Sequence, residues 1–329
     1  VLDPSVAAVR LAVRTALSAL DDGAKVLIAL SGGADSLALA AAAAHEARPR
    51  GMRVTSVTVD HGLQDGSARV AERASAQAAE LGIESRVVRV EVGTDGGPEA
   101  AARDARYGAL RDAAEGAAAV LLGHTLDDQA ETVLLGLARG AGGTSLAGMA
   151  PARRDERGIL WLRPLLALRR SVTREACAAL GLEAWEDPHN ADERFSRVRV
   201  RERVLPVLEA ELGPGIAEAL ARTAEQLRED AEAFAELIDE TIEDIVEPAE
   251  AGIAVSVPAL AANPAALRNR IIRHVVQSEF GVALTRVQTL EVARLVTDWA
   301  GQGPIDLPVC TAARRGARIV FAARSAGLG

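Results

Sequence analysis

Lysine is almost absent from this 329-residue chain: Lys25 is the only one, and the rest of the 37 Lys+Arg residues are arginines. Aromatics amount to 2% and alanine is abundant, a bias from which little function can be read. Cysteine is nearly missing too. Cys177 and Cys310 are far apart and form no CxxC pair. That excludes a disulfide framework or a structural zinc site and fits a reducing compartment. No apolar run approaches the roughly 20 residues needed to cross a bilayer, so no membrane partner is expected. The start, Val1-Leu2-Asp3-Pro4, lacks the charged and apolar regions of a signal peptide. A cytoplasmic protein is expected.

What remains is ordinary globular composition, 49% hydrophobic and 25% charged, long enough for two domains or one large one. The net charge of −9 argues at first against a nucleic-acid partner. The charge is segregated, however. Residues 209 to 250 hold fourteen acids against two arginines, a net of −12, which leaves +3 for everything else. This predicts one solvated acidic helical face turned away from RNA, in an otherwise mildly basic molecule.

The first half alternates strand and helix patterns. Residues 25–30, 53–59, 86–92 and 118–122 are short apolar or β-branched runs that read as strands, with a last strand at 159–165. Helical stretches lie between them. This order predicts an α/β fold, a doubly wound parallel sheet with ligands at the carboxyl ends of its strands. Residues 140–157 read as a Gly-rich loop. A change to helical character near 205–215 suggests two domains, 1–210 and a mainly helical 211–329 with a short C-terminal β segment. The apolar helices beyond residue 258 offer a homodimer interface.

The strongest motif is Ser31-Gly32-Gly33-Ala34-Asp35-Ser36, directly after the first strand and opening a helix. Free N–H groups and the positive dipole end of a helix bind anions there, and glycines allow close approach. Asp35 would repel a phosphate unless a cation intervenes, which suggests a Mg2+-bridged phosphate. Further along, Asp128 and Glu131 share a helix face near its N-terminus, an arrangement suited to an ammonium or a metal. Asp127 fits the N-cap. His61 and His124, at neighbouring strand ends, are either structural or orient a phosphate or base. Arg103 and Arg106 lie on one helix face, where a fork can hold pyrophosphate or RNA phosphate; a functional role is favoured for Arg106. The run Arg194 to Arg203 carries five arginines and one acid. An extended start would put Arg197, Arg199 and Arg201 on one side as a cationic strip.

SGGADS resembles the pyrophosphate-binding loop of the N-type ATP pyrophosphatases, which have an adenine nucleotide α-hydrolase-like fold. The series Val59-Asp60-His61-Gly62-Leu63, Ala102 to Tyr107, Gly123 to Thr132, Arg163-Pro164-Leu165 and Glu186-Asp187-Pro188-His189-Asn190 is similar to the tRNA(Ile)-lysidine synthetases over roughly residues 25 to 210. At Val198 that family usually has Asn, so no base-reading role of the Asn carries over. The resemblance implies ATP bound by Ser31, Gly32, Gly33, Ala34, Asp35 and Ser36, with Asp60, His61 and His124 nearby and Mg2+ on Asp35. It implies lysine at Asp128 and Glu131, with Asp128 the main contact and Glu131 a candidate base, and Arg106 at the departing pyrophosphate. Its expected substrates are free lysine and tRNA(Ile) with a CAU anticodon, whose wobble cytidine becomes lysidine through an adenylated intermediate. The alternatives are a tRNA thiolase of the same superfamily and a non-catalytic nucleotide- or RNA-binding protein.

Overall fold

The computed structural model describes residues 2–62, 66–93, 97–140, 142–186, 192–249 and 252–324. The chain forms two compact units, 1–228 and 229–329.

The first unit opens with α1 (Pro4–Leu17), capped by the Asp3 carboxylate, which accepts from the Ser5 and Val6 N–H groups. Asp before Pro is a strong helix-start signal, since Pro at the first turn gives up no hydrogen bond. There follow β1 (Lys25–Ala29), α2 (Ala34–Ala47), β2 (Arg53–Asp60), α3 (Ser67–Glu80), β3 (Glu84–Arg89), α4 (Pro98–Ala113), β4 (Ala119–Leu121), α5 (Leu126–Ala138), α6 (Gly143–Leu146), β5 (Ala152–Arg154), β6 (Leu160–Leu162) and α7 (Arg170–Ala179). The sheet order is β3-β2-β1-β4-β6-β5, parallel throughout except for β5. The expected doubly wound sheet is present. The 140–157 segment read as a loop contributes α6 and the antiparallel edge strand β5.

Alternation along β1 builds a core on both faces. Val26 and Ile28 pack with Val13, Leu17, Leu37, Leu39 and Ala176 from α1, α2 and α7. Leu27 faces the other way, onto Leu110, Val120 and Trp161. Small residues on α2, Ala38, Ala40, Ala42 and Ala43, let this helix sit deep against its neighbours. Lys25 opens β1 and reaches the Glu115 carbonyl at 3.2 Å, at the end of the strand away from Ser31.

Helices α8 (Ser196–Arg199) and α9 (Leu205–Leu212) flank a π-helical turn, Val200–Val204. From Ser196 the basic run is therefore helical and not extended. The division between the compact units falls inside α10 (Ile216–Ile245), after Arg228. Leu205, Ala217, Leu220 and Ala221 pack on Leu126, Ala130 and Leu134 of α5, which ties residues 205–228 to the first unit.

The second unit is richer in strands than its helical pattern suggested. It contains β7 (Val246–Ala249), β8 (Gly252–Ser256), α11 (Val257–Ala262), α12 (Ala265–Phe280), α13 (Arg286–Thr297), β9 (Ile305–Asp306), β10 (Cys310–Arg315) and β11 (Arg318–Ala323). The strands form one antiparallel sheet, β7-β8-β11-β10-β9. Strands this short carry too little alternation to stand out in sequence. Leu267, Ile271, Val275, Val292 and Leu295 of α12 and α13 are buried against Ile319 and Phe321, so most of their apolar stripe is used within the unit. The acids of α10 from Glu229 to Asp244 are exposed, as the charge pattern predicted.

Leu37 is fully buried in the α2 face of the core. Leu37→Ala should lower unfolding free energy by about 2–5 kcal/mol in a denaturant titration.

Candidate active site

The loop after β1 is shaped by its glycines. Gly32 has φ +83°, and a Cβ there would lie 3.1 Å from the Ala74 Cβ, so only glycine fits without strain. Gly33 is the N-cap of α2 and supplies no side-chain cap, which leaves the first N–H groups of the helix to a ligand. Ser36 braces the turn. Its hydroxyl accepts from the Ser31 N–H at 3.1 Å and donates to the Gly33 carbonyl at 3.0 Å, and the Ser31 hydroxyl lies 3.1 Å away. Ala34 and Asp35 open the helix.

The end of β4 comes close to this turn. A Cβ on Gly123 would meet the Asp35 carbonyl carbon at 3.1 Å and the Ser36 nitrogen at 3.2 Å. Through this contact, α5 begins beside α2. The N-cap of α5 is Thr125, not Asp127, because the helix starts at Leu126. Asp128 is thus the third helical residue, and its Oδ2 accepts from the Thr125 N–H at 2.8 Å and hydroxyl at 2.9 Å. Asp127 instead accepts from the Arg170 N–H at 2.7 Å.

The structure brings Asp35 to Asp128 and Glu131 and adds arginines that the motifs did not flag. Arg170 lies 2.8 Å from Asp128, 3.4 Å from Glu131 and 3.5 Å from Asp35. Glu131 is fully buried. Its Oε1 accepts from Arg201 Nε at 2.7 Å, and its Oε2 lies 3.1 Å from Arg201 Nη2 and 3.2 Å from Arg197 Nε. Both oxygens are committed, so a base role would require Glu131 to shed an arginine. Asp35 also accepts from the Thr173 hydroxyl. Burial raises the Asp35 carboxyl above its usual range, against the pull of Thr173 and Arg170. Burial pushes Asp128 the same way, but Arg170, His124 and the Thr125 N–H outweigh it and leave it lowered.

The arginine strip is therefore largely spent internally. Arg197 and Arg201 serve Glu131, Arg194 pairs with Asp192 at 2.7 Å, Arg203 pairs with Glu193, and Arg199 donates to the carbonyls of Glu193 and Arg194. One helical turn separates Arg197 from Arg201, so both reach a single buried carboxylate. Nothing in the local sequence reveals that carboxylate.

Arg106 is different. Among the described residues it has no carboxylate partner; it lies over the Tyr107 ring, 5.7 Å from the centroid. Arg103 lies over the same ring at 5.1 Å. Burial lowers the Arg106 guanidinium, and neighbouring Arg103 and Arg197 add to the effect. Arg163, also buried, donates to the Ala150 carbonyl at 2.8 Å. His61 and His124 each have a buried Nδ1 without a hydrogen-bond partner. Burial lowers both, His124 to about 3; Asp128 opposes the shift at His124, and Arg163 and Arg106 add to it. Enclosed guanidinium groups beside unpartnered ring nitrogens suit an anionic ligand. Asp60 is turned into its own loop, accepting from the Gly62 N–H at 3.0 Å, and Ser67 helps to hold it lowered. Leu63 and the 187–190 stretch of the expected motifs lie outside the described residues.

An open parallel sheet with a Gly-rich anion loop and a polar floor at its carboxyl edge defines an ATP-using enzyme of the PP-loop class. Residues 8–208 match the PP-loop domain model, and residues 256–320 match the TilS substrate binding domain. The chain is 58% identical over 306 residues to a tRNA(Ile)-lysidine synthase of Leifsonia xyli, covering 92% of this chain and 91% of that one. It is 50% identical over 320 residues to the enzyme so named in Thermobifida fusca, covering 96% and 95%. The chain belongs to the tRNA(Ile)-lysidine synthase family. A U34-tRNA thiolase with a [4Fe-4S] cluster, NcsA from Methanococcus maripaludis, shares the fold at a TM-score of 0.59 and 22% identity, covering 68% of this chain and 80% of that one. The likeness extends to the fold alone. Cys177 and Cys310 are buried, free and in different units, and burial beside Asp35 pushes the Cys177 thiol up to about 11.

Two measurements test the site. Gly123→Ala should weaken ATP binding at least about tenfold while the melting temperature stays within a few degrees, because the strain falls on the Asp35–Ser36 turn. The depressed His124 has a consequence for stability. Between pH 6.5 and about 3 the unfolded chain takes up a proton that the folded site refuses, so stability is complete above this window and falls as pH drops through it. His124→Gln should flatten that part of the melting-temperature profile; an unchanged slope would count against the burial argument.

Proposed function

We infer that this chain joins lysine to C2 of the wobble cytidine in CAU-anticodon tRNA(Ile), using ATP and forming lysidine. The observation that carries this reading is the meeting of the Ser31–Ser36 anion loop with the Asp128 carboxylate at the ends of adjacent strands, in a chain so similar to tRNA(Ile)-lysidine synthases.

In the first half-reaction the cytidine O2 attacks the α-phosphorus of ATP, the bond to the bridging oxygen breaks, and pyrophosphate departs. The α2 N–H groups and the Ser31 and Ser36 hydroxyls hold phosphate oxygens. Arg106, unpaired among the described residues and enclosed, balances charge growing on the leaving group. His61 and His124, kept neutral by burial, orient phosphate or base through a ring N–H. In the second half-reaction the lysine ε-amine attacks C2, and AMP leaves with the former O2. Asp128 Oδ1 faces the amine, while Glu131 holds Arg197 and Arg201 in place. The amine gives up a proton before attack, with the Asp128 carboxylate as the proposed acceptor.

Mg2+ fits Asp35, a hard oxygen donor at the mouth of the phosphate loop. No cluster of three His, Cys, Asp or Glu suited to a metal occurs among the described residues, so phosphate oxygens and water would complete its shell. When bound, the ion neutralises phosphate charge.

In the second unit, Arg270, Arg273 and Arg286 gather on α12 and the start of α13 without a carboxylate partner among the described residues. Burial and repulsion from Arg270 and Arg286 lower Arg273. Such a patch suits tRNA phosphates. No helix among the described residues is long and apolar enough to cross a membrane. A tRNA substrate and ATP would be met in the cytoplasm, the compartment this reading proposes.

The test uses labelled lysine, ATP and tRNA(Ile) bearing CAU. Lysine-dependent label should enter the RNA, with AMP released in equal amount. Asp35→Ala should abolish AMP formation and leave tRNA binding within about twofold. ATP–pyrophosphate exchange without label in RNA would remove the lysidine reading.

A further inference from the structure

Arg170 joins parts of the site that the sequence motifs keep separate. Its Nη2 lies 2.8 Å from Asp128 Oδ1, its Nη1 3.4 Å from Glu131 Oε1 and its Nε 3.5 Å from Asp35 Oδ2. The side chain is 14% exposed and stands on the first residue of α7. Its backbone N–H donates to Asp127 at 2.7 Å, which pins this end of α7 to the first turn of α5. Thr173, within the same helical turn, lies within reach of both Asp35 and the Arg170 carbonyl. The start of α7 is thus fastened to the phosphate loop on one side and to α5 on the other.

We propose that Arg170 is a positioning residue that couples the nucleotide subsite at Asp35 to the amine subsite at Asp128. The proposal rests on the lysidine reading above. Asp128 Oδ2 is committed to Thr125, so an ammonium contacting this carboxylate must use Oδ1, the oxygen that Arg170 holds. Lysine and Arg170 therefore share one atom, and the two cations repel each other across it. A guanidinium is a rigid planar fork, so losing one edge turns the whole group and alters its contact with Asp35. A guanidinium pushed from Asp128 still has Asp35 and Glu131 within reach, and phosphates bound on the loop beside Asp35 add a further anionic partner toward which it can turn. Lysine and ATP then bind with positive coupling, and by linkage each tightens the other by the same factor.

Calorimetric titration of the full chain with α,β-methylene-ATP, with and without saturating lysine, reads that factor directly. Lysine should tighten the analogue about tenfold in the wild-type protein, within the usual range for coupled sites. In Arg170→Gln the ratio should fall to about one, with the melting temperature confirming a folded protein. Arg170→Lys keeps the charge without the fork and should also lose most of the ratio, which covers the case in which the glutamine variant fails to fold. A merely structural Arg170 would weaken both ligands in the variants and leave the ratio unchanged. That result overturns the proposal, as does a wild-type ratio of one. Wild-type protein that binds the analogue but not lysine overturns the lysidine reading itself, and the coupling with it.

Discussion

Charge balance at the start of three helices governs this site. Asp35 from α2, Asp128 and Glu131 from α5, and Arg170 from α7 meet at the carboxyl edge of the parallel sheet, where Arg197 and Arg201 complete the balance. Carboxylates this enclosed are tolerated only with partners, since stripping one partner from a buried pair typically costs about 3–5 kcal/mol. The backbone serves this meeting. Gly123 lets β4 approach the phosphate loop, the Thr125–Asp128 cap fixes where α5 begins, and the π turn after α8 sits where Arg197 and Arg201 both reach Glu131.

On the anionic side the logic is reversed. Arg106 stays without a carboxylate among the described residues, and the buried Nδ1 atoms of His61 and His124 stay without partners. Unpaired cations and enclosed polar atoms destabilise a fold unless a ligand meets them. The site therefore combines a self-neutralised acidic half, suited to exchanging one cation for another, with an uncompensated basic half suited to polyphosphate. An enzyme that must hold ATP and an amine at neighbouring points needs both.

Local patterns made part of this legible in the sequence. The Ser31–Ser36 turn stands out because a strand, a glycine pair and a helix start follow one another within a few residues, and Asp128 and Glu131 because a three-residue spacing on a helix fixes a shared face. The parallel, doubly wound sheet followed from alternating strand and helix, though not the order of its strands. The partners were hidden for a corresponding reason. Arg170 sits in a plain Arg-Arg pair with no pattern around it, and its three carboxylates are 39 to 135 positions away, as its number and theirs show. The arginines at 197 and 201 looked like a phosphate strip because a buried glutamate on another helix leaves no trace beside them. Helix α1 announces itself by Asp3 before Pro4, a cap and a first-turn proline. Of the second sheet only the C-terminal segment showed, where β10 and β11 lie; β7, β8 and β9, two to five residues long, did not.

The near-absence of lysine has a chemical corollary. Arginine does not deprotonate at any pH the folded chain experiences, so the cationic side of the network is fixed and only carboxylates and histidines can titrate. The chain also presents a single side-chain amine. Lys25 lies at the end of β1 remote from Ser31, resting on the Glu115 carbonyl. Amine-selective reagents, which would scramble most RNA-binding proteins, thus have one side-chain address here, and a fluorophore or crosslinker attached there would report on the molecule without entering its chemistry.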